Sequence, residues 1–184
     1  MRLFVALEIS DTIRPAIESL IRELHPLDDS WKWVRAQNLH VTLKFLGEVA
    51  PGKLPEIVEV LRNAPTAGPV ALRFRGLGFF PNERRPRVLW VGMDGPQSLI
   101  GMAAGVEATL KNAGFPREER EFTPHLTLAR NKQGTISPEL RDAISKRSTW
   151  ELGTMDASTF HLIESKIKST GPEYTTLESI PLTR

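Results

Sequence analysis

The sequence predicts an α+β protein of two pseudo-symmetric lobes, each an antiparallel sheet with flanking helices, with an active-site cleft between them. Three observations carry that expectation. The tetrapeptide His40-Val41-Thr42-Leu43 returns 85 residues later as His125-Leu126-Thr127-Leu128. Around each copy the apolar pattern runs in the same order: strand, helix, motif strand, helix, strand. No low-complexity linker separates the halves, so the 184 residues are expected to fold as one bilobal domain, 1–184.

Each element has its own signal. Leu3 to Ile9 is an apolar run rich in Phe and Val and reads as a buried strand. Ser10 or Asp11 is placed to cap a helix whose apolar face is Ile13, Ile17, Leu20, Ile21 and Leu24. Trp31 to Val34 and Leu39 to Leu46 read as strands, the second carrying the first motif. Pro51-Gly52 breaks the chain before a helix built on Leu54, Ile57, Val58 and Leu61, and Val70 to Phe80 is again extended, ending at Pro81. In the second half Val88 to Val91 is a short strand and Gly92 to Pro96 a turn; Ser98 to Ala113 is helical, with Gly114 as its C-terminal cap. Phe122 to Arg130 is the strand of the second motif. Ser137-Pro138-Glu139 has the grammar of a helix start and leads a helix through Ile144. Leu152 to Ile167 and Tyr174 to Ile180 close the chain as strands.

Composition narrows the chemistry. Residues are 40% apolar and 25% charged, as in ordinary globular proteins. The absence of cysteine excludes disulfides, thiolate metal ligands and a cysteine nucleophile. The opening Met1-Arg2-Leu3-Phe4-Val5 lacks a basic leader followed by a long apolar run, and no apolar stretch reaches membrane-spanning length, so a soluble cytoplasmic protein is expected. A net charge of +2 is too small for indiscriminate polyanion binding but permits a local basic cleft.

In a strand, residues two apart share a face, so each motif offers an imidazole beside a hydroxyl with apolar residues behind them. Two such units facing one another can hold a phosphate between a proton donor and a proton acceptor. Histidine suits both tasks because its ordinary pKa lies near 6.5. The threonine hydroxyls can donate to non-bridging oxygens whose charge must be stabilised in the transition state. A strained cyclic phosphate would need no metal.

The motifs and their surroundings resemble the 2H phosphoesterase superfamily, and within it the bacterial and archaeal 2′-5′ RNA ligase branch. The resemblance is carried by Trp33-Val34-Arg35, by Asn38-Leu39-His40-Val41-Thr42-Leu43-Lys44-Phe45-Leu46-Gly47-Glu48, by Gly78-Phe79-Phe80-Pro81 with Pro86-Arg87-Val88-Leu89-Trp90, and by Phe122-Thr123-Pro124-His125-Leu126-Thr127-Leu128-Ala129-Arg130. The tail, Leu162-Ile163-Glu164-Ser165 and Gly171-Pro172-Glu173-Tyr174, fits as well. What the resemblance implies is an RNA 2′,3′-cyclic phosphodiesterase that opens a terminal cyclic phosphate to a 2′-phosphomonoester, with a weak reverse joining that makes a 2′-5′ linkage. It also implies His40 as donor to the leaving oxygen, His125 as the acceptor that activates water, and Arg130 on the substrate phosphate. The two motifs are too nearly symmetric for the residues alone to divide acid from base.

Around this centre, Lys44 shares the face of His40 and Thr42 at ideal alternation and is a second basic candidate. Arg130 falls on the opposite face from His125 unless a strand end or bulge turns it inward. Arg120 is a third phosphate candidate. His25 and His161 read as structural, and Trp31, Trp33, Trp90, Phe79 and Phe80 as core or rim packing rather than base-stacking platforms. Glu83-Arg84-Arg85-Pro86-Arg87 reads as a solvated loop, though three arginines beside a cleft can hold an RNA backbone. The expected partner is RNA with a 2′,3′-cyclic phosphate end, tRNA-like or oligonucleotide, met by a monomer with no obligatory protein partner and no cofactor. Two other classes stay open: an RNA-end binding module without turnover, and a two-histidine metal enzyme. The second lacks the close i, i+4 histidine spacing of a helical zinc site.

Overall fold

The computed structural model describes all residues except Ala67, Gly95, Pro96, Arg120, Thr170 and Arg184. The apolar N-terminal run forms strand β1 (Arg2–Glu8), followed by helix α1 (Arg14–Leu24). A short β2 (Lys32–Trp33) precedes the first motif strand, β3 (His40–Glu48), then α2 (Leu54–Arg62) and β4 (Val70–Phe80). The second half runs β5 (Val88–Asp94), α3 (Gln97–Asn112), the second motif strand β6 (His125–Arg130), α4 (Pro138–Ser145), β7 (Glu151–Ala157), β8 (Thr159–Lys168) and β9 (Gly171–Pro181). Among the described residues no helix is long and apolar enough to cross a membrane.

Both sheets are antiparallel in every pair. The first has the order β3-β1-β8-β9 and the second β2-β6-β5-β4-β7. The two match strand for strand: β3 with β6, β1 with β5, β8 with β4, β9 with β7. The lobes are not simply the two halves of the chain. β2 and β4 come from the first half but complete the second sheet, while β8 and β9 return to the first. The helices cross over as well. α1 packs on β7 and α4 on β4, whereas α2 packs on β9 and α3 on β3. Each sheet therefore buries one face under helices and turns the other toward the cleft. A single apolar cluster runs through both lobes, from Leu7 and Val41 through Ile17, Leu61 and Val106 to Phe74, Leu126 and Leu140.

Several boundaries differ from the sequence expectation, each for a local reason. Neither Ser10 nor Asp11 caps α1: Ser10 Oγ instead lies 2.6 Å from Thr12 Oγ1, a turn closes from Ile13 N to the Ser10 carbonyl, and Pro15 sets the first helical turn. Ser137 does cap α4, accepting from Leu140 N at 3.1 Å. Gly114 ends the α3 region with φ +86°, a conformation that glycine adopts without a Cβ penalty. Gly92 lies inside β5 rather than in a turn, paired with His125. Residues 122–124 stay outside β6, and the long C-terminal run is split at Ser158 into β7 and β8.

Candidate functional site

The two motif strands β3 and β6 approach one another along the cleft, and each departs from plain alternation at the same place. Between β1 and β3, Val5 pairs with Lys44 and Ala6 with Thr42, which leaves Leu43 as an extra residue. Between β5 and β6, Leu89 pairs with Ala129 and Trp90 with Thr127, leaving Leu128 extra. A bulge of this kind shifts every later residue to the opposite face. Burial follows: half-buried, buried, half-buried, buried, buried, exposed along His40 to Phe45, and the same six classes along His125 to Arg130. His125, Thr127 and Arg130 consequently share the cleft face, as do His40, Thr42 and Phe45.

The same bulge corrects the expectation for Lys44. Instead of joining His40 and Thr42, its side chain turns to the helix side, where only 4% of it is exposed. There Nζ donates to Glu107 Oε1 of α3 at 2.9 Å and to the Pro116 carbonyl at 2.6 Å. Glu107 Oε1 also accepts from Glu118 N at 3.0 Å, so this buried pair fastens the segment that leads into the second motif. Arg120, the third basic candidate, lies outside the described residues.

Each histidine is held by one local device. Nδ1 of His40 lies 2.7 Å from the Asn38 carbonyl, and Nδ1 of His125 lies 2.7 Å from the Thr123 carbonyl. A carbonyl only accepts, so Nδ1 carries the hydrogen in both rings and Nε2 is the nitrogen left for chemistry. Aromatic rings fix the planes. Phe4 and Tyr174 lie 4.7 and 5.2 Å from the His40 ring, and Phe80 lies edge-on at 4.9 Å from His125. The hydroxyls of Thr42 and Thr127 have no hydrogen-bond partner among the described residues.

Burial holds both imidazoles below the ordinary histidine pKa. Burial pushes His40 down to about 4; the Asn38 carbonyl pulls it up, Arg130 presses it down, Glu8 pulls it up and His125 presses it down. Burial also lowers His125, again against its carbonyl partner and with Arg130. Arg130 further opposes the burial that raises the Tyr174 phenol. One guanidinium therefore acts on both histidines and the tyrosine.

The positions across from the two histidines differ. Glu8 pairs with His40, and its Oε1 accepts from Thr176 at 3.0 Å. Gly92 pairs with His125. A Cβ at Gly92 would come within 2.8 Å of the Arg75 carbonyl oxygen and 3.1 Å of the Trp90 ring, so this close approach of the backbone admits only glycine. A cleft of about 260 Å³ opens at this point, lined by His125, Trp90, Arg75, Asp94 and Thr123. A second of about 190 Å³ lies beside Tyr174 and Asn38, bordered by Arg35 and Pro172.

Phe4, Glu8, Tyr174, Phe80 and Gly92 join the site without having been singled out for it. Tyr174 and Phe80 stand inside the blocks that carry the resemblance, whereas Leu3 to Leu7 form an unbroken apolar and buried run in which no alternation marks Phe4 or Glu8. His161, read as structural, also faces the cleft: it pairs with Ala6, its Nδ1 lies 3.0 Å from Ser179 Oγ, and burial lowers its pKa against the pull of Glu8. Trp31 is buried against Phe79, with ring centroids 5.9 Å apart, and Trp33 meets His25, also at 5.9 Å.

Two lobes that each present a carbonyl-held histidine and a threonine from a bulged strand toward one cleft define a two-histidine phosphoesterase. The chain belongs to the LigT-like phosphoesterase family, whose model matches it twice, over residues 7–90 and 91–174. An RNA 2′,3′-cyclic phosphodiesterase of Archaeoglobus fulgidus is 39% identical over 174 residues, 95% of this chain and 96% of that protein. One of Methanothermobacter thermautotrophicus is 34% identical over 97% of each. Among solved structures, a Thermus thermophilus protein superposes with a TM-score of 0.82 at 31% identity, covering 99% of this chain and 98% of that one. Escherichia coli LigT complexed with 3′-AMP superposes with a TM-score of 0.79 at 28% identity, covering 100% and 98%.

Proposed function

We propose that this protein is an RNA 2′,3′-cyclic phosphodiesterase that opens a terminal cyclic phosphate to a 2′-phosphomonoester. The observation that supports it best is the matched pair of half-buried imidazoles, each with Nδ1–H fixed to its own chain and a free hydroxyl two residues on. The relatives' activity and the nucleotide held by the structural neighbour agree with it.

In this reading the phosphate lies between the two strands. His125 Nε2 takes a proton from water as the water oxygen attacks phosphorus, the bond to the ribose 3′ oxygen breaks, and His40 Nε2 gives that oxygen its proton. Thr42, Thr127 and Arg130 donate to the non-bridging oxygens. Acid and base are divided here by family resemblance. The physics adds one requirement. With His40 near 4 in the free site, its proton must arrive with the substrate, whose negative charge favours the imidazolium. The same steps with an RNA 5′-hydroxyl in place of water, attacking phosphorus as the bond to the 3′ oxygen breaks, give a weak 2′-5′ joining.

The deciding experiment supplies RNA ending in a 2′,3′-cyclic phosphate, with and without EDTA, and identifies the product. A 2′-phosphate end formed at an undiminished rate under EDTA is expected. A 3′-phosphate would reverse the leaving oxygen. Zinc- or magnesium-dependent turnover would replace acid–base catalysis with a metal mechanism, and tight binding without turnover would leave an RNA-end binding module.

A further inference from the structure

Many cations of this chain are committed to ion pairs. Arg14, Lys44, Lys53, Arg62, Arg73, Arg75, Lys146, Arg147, Lys166 and Lys168 all pair with carboxylates. The exposed side chains of Lys32, Arg84, Arg85, Arg87, Arg130 and Lys132 make no ion pair among the described residues, and the fold gathers these six at one end of the second sheet. Lys32 on β2 pairs directly with Arg130 on β6, which in turn pairs with Val88, the residue after Arg87. The Arg87 carbonyl accepts from Asn131 N at 2.9 Å, which brings Lys132 alongside. A Cβ added at Gly134 would stand 3.9 Å from the Arg85 backbone, which places the 132–134 turn beside the arginine loop.

The arginine loop between β4 and β5 is held in shape. Asn82 Oδ1 accepts from the backbone N–H groups of Arg84 and Arg85 at 3.0 and 3.1 Å, and Arg141 donates to the Glu83 carbonyl at 2.6 Å. The nearby carboxylates do not neutralise the cluster: Asp28 is engaged by Ser30 and Ser137, and Glu83 and Asp29 form no ion pair among the described residues. Arg130 is the hinge of the arrangement, since it lies on the cleft face with His125 and acts electrostatically on both histidines.

We propose that this strip, running outward from Arg130 across the ends of β2, β6 and β5 into the 82–87 loop, binds the backbone phosphates of the RNA strand whose cyclic end occupies the cleft. It rests on the cyclic phosphodiesterase reading and deepens it by placing the strand that leads to the cyclic end. Three adjacent strand ends span about 10 Å, enough with the loop for roughly two or three phosphates of a single strand. Each contact contributes about −0.7 to the slope of log affinity against log salt, so a slope near −1.5 to −2 is expected.

The test measures binding of a fluorescently labelled single-stranded octanucleotide from 50 to 400 mM salt, for the wild type and for the triple variant Lys32→Gln, Arg85→Gln, Arg87→Gln, with melting temperatures to verify folding. The variant should bind at least tenfold more weakly at low salt and show a slope flatter by one or more. In parallel, the ratio of kcat/KM for an octanucleotide ending in a cyclic phosphate to that for a 2′,3′-cyclic mononucleotide should exceed ten in the wild type and fall toward one in the variant. Equal affinity and equal slope in the two proteins overturn the strip. The catalytic reading fails separately: salt-dependent binding that the variant loses, without turnover of either substrate, supports the strip and removes the phosphodiesterase.

Discussion

β3 and β6 carry the same tetrapeptide, the same carbonyl-held imidazole and the same bulge one residue after the threonine, yet they end differently. After the bulge β3 presents Phe45 to the cleft and β6 presents Arg130. Across from His40 stands Glu8, and across from His125 stands Gly92. On the helix side Lys44 reaches Glu107, whereas Ala129, at the matching position, is enclosed among apolar residues. In the proposed reaction, symmetry covers what a proton donor and a proton acceptor have in common, and asymmetry covers where the charge for a phosphate comes from.

The sharpest way to break the comparison is to remove either imidazole. His40→Ala and His125→Ala should each lower kcat by about 10³- to 10⁴-fold, toward the upper range of positioned acid–base catalysis. The double variant should be little worse, because each group works only with the other. Losses that multiply in the double variant would mean two independent roles. Next come the threonines. Thr42→Val and Thr127→Val keep shape and strand propensity but delete a donor, and should cost roughly 2–4 kcal/mol of transition-state stabilisation each, with Thr→Ser recovering most of it. Valine variants as active as wild type would reduce both to packing.

Arg130 probes the asymmetric half. Arg130→Met removes a charge-assisted contact and should cost about 1.5–3 kcal/mol in kcat/KM; Arg130→Lys restores charge but not the planar fork and should recover only part. Lys44 probes the other side of the bulge. Lys44→Met should lower stability by about 2 kcal/mol, less than the loss from a fully enclosed pair, because 22% of the Glu107 side chain is exposed. Turnover per folded molecule should hold. A selective loss of kcat with unchanged melting temperature would return Lys44 to the cleft.

The smallest effect is in pH. Both free imidazoles sit below 6.5, so the optimum of kcat/KM should fall on the acid side of 6.5, and the kcat profile should lie at higher pH because the bound anion favours the imidazolium. Stability follows the same sign. The folded His40 takes its proton near 4 and an unfolded one near 6.5, so the native state loses stability as pH falls through that window. His40→Gln should therefore lose less melting temperature between pH 7 and pH 4.5 than the wild type; an equal loss would place the acid sensitivity elsewhere.

The chain by itself determined the elements and the pair of motifs. Alternation and helical period are local properties, and they placed β1, β3, β4, α2 and α3 within a few residues of where they fold. The repeated His-x-Thr pattern needed no partner to be read, because two residues apart on a strand means one face whatever the sheet. Tertiary structure decided what depends on a neighbouring strand. A bulge exists only in relation to the partner it is mispaired with, so one extra residue at Leu43 sent Lys44 into the helix side, and its twin at Leu128 turned Arg130 to the cleft. The pairing of Glu8 with His40 and Gly92 with His125 is likewise a matter of register. The crossing of β2, β4, β8 and β9 between the halves is also a matter of pairing with distant strands. None of these is written in the local pattern, because each is an energy shared between segments far apart in the chain.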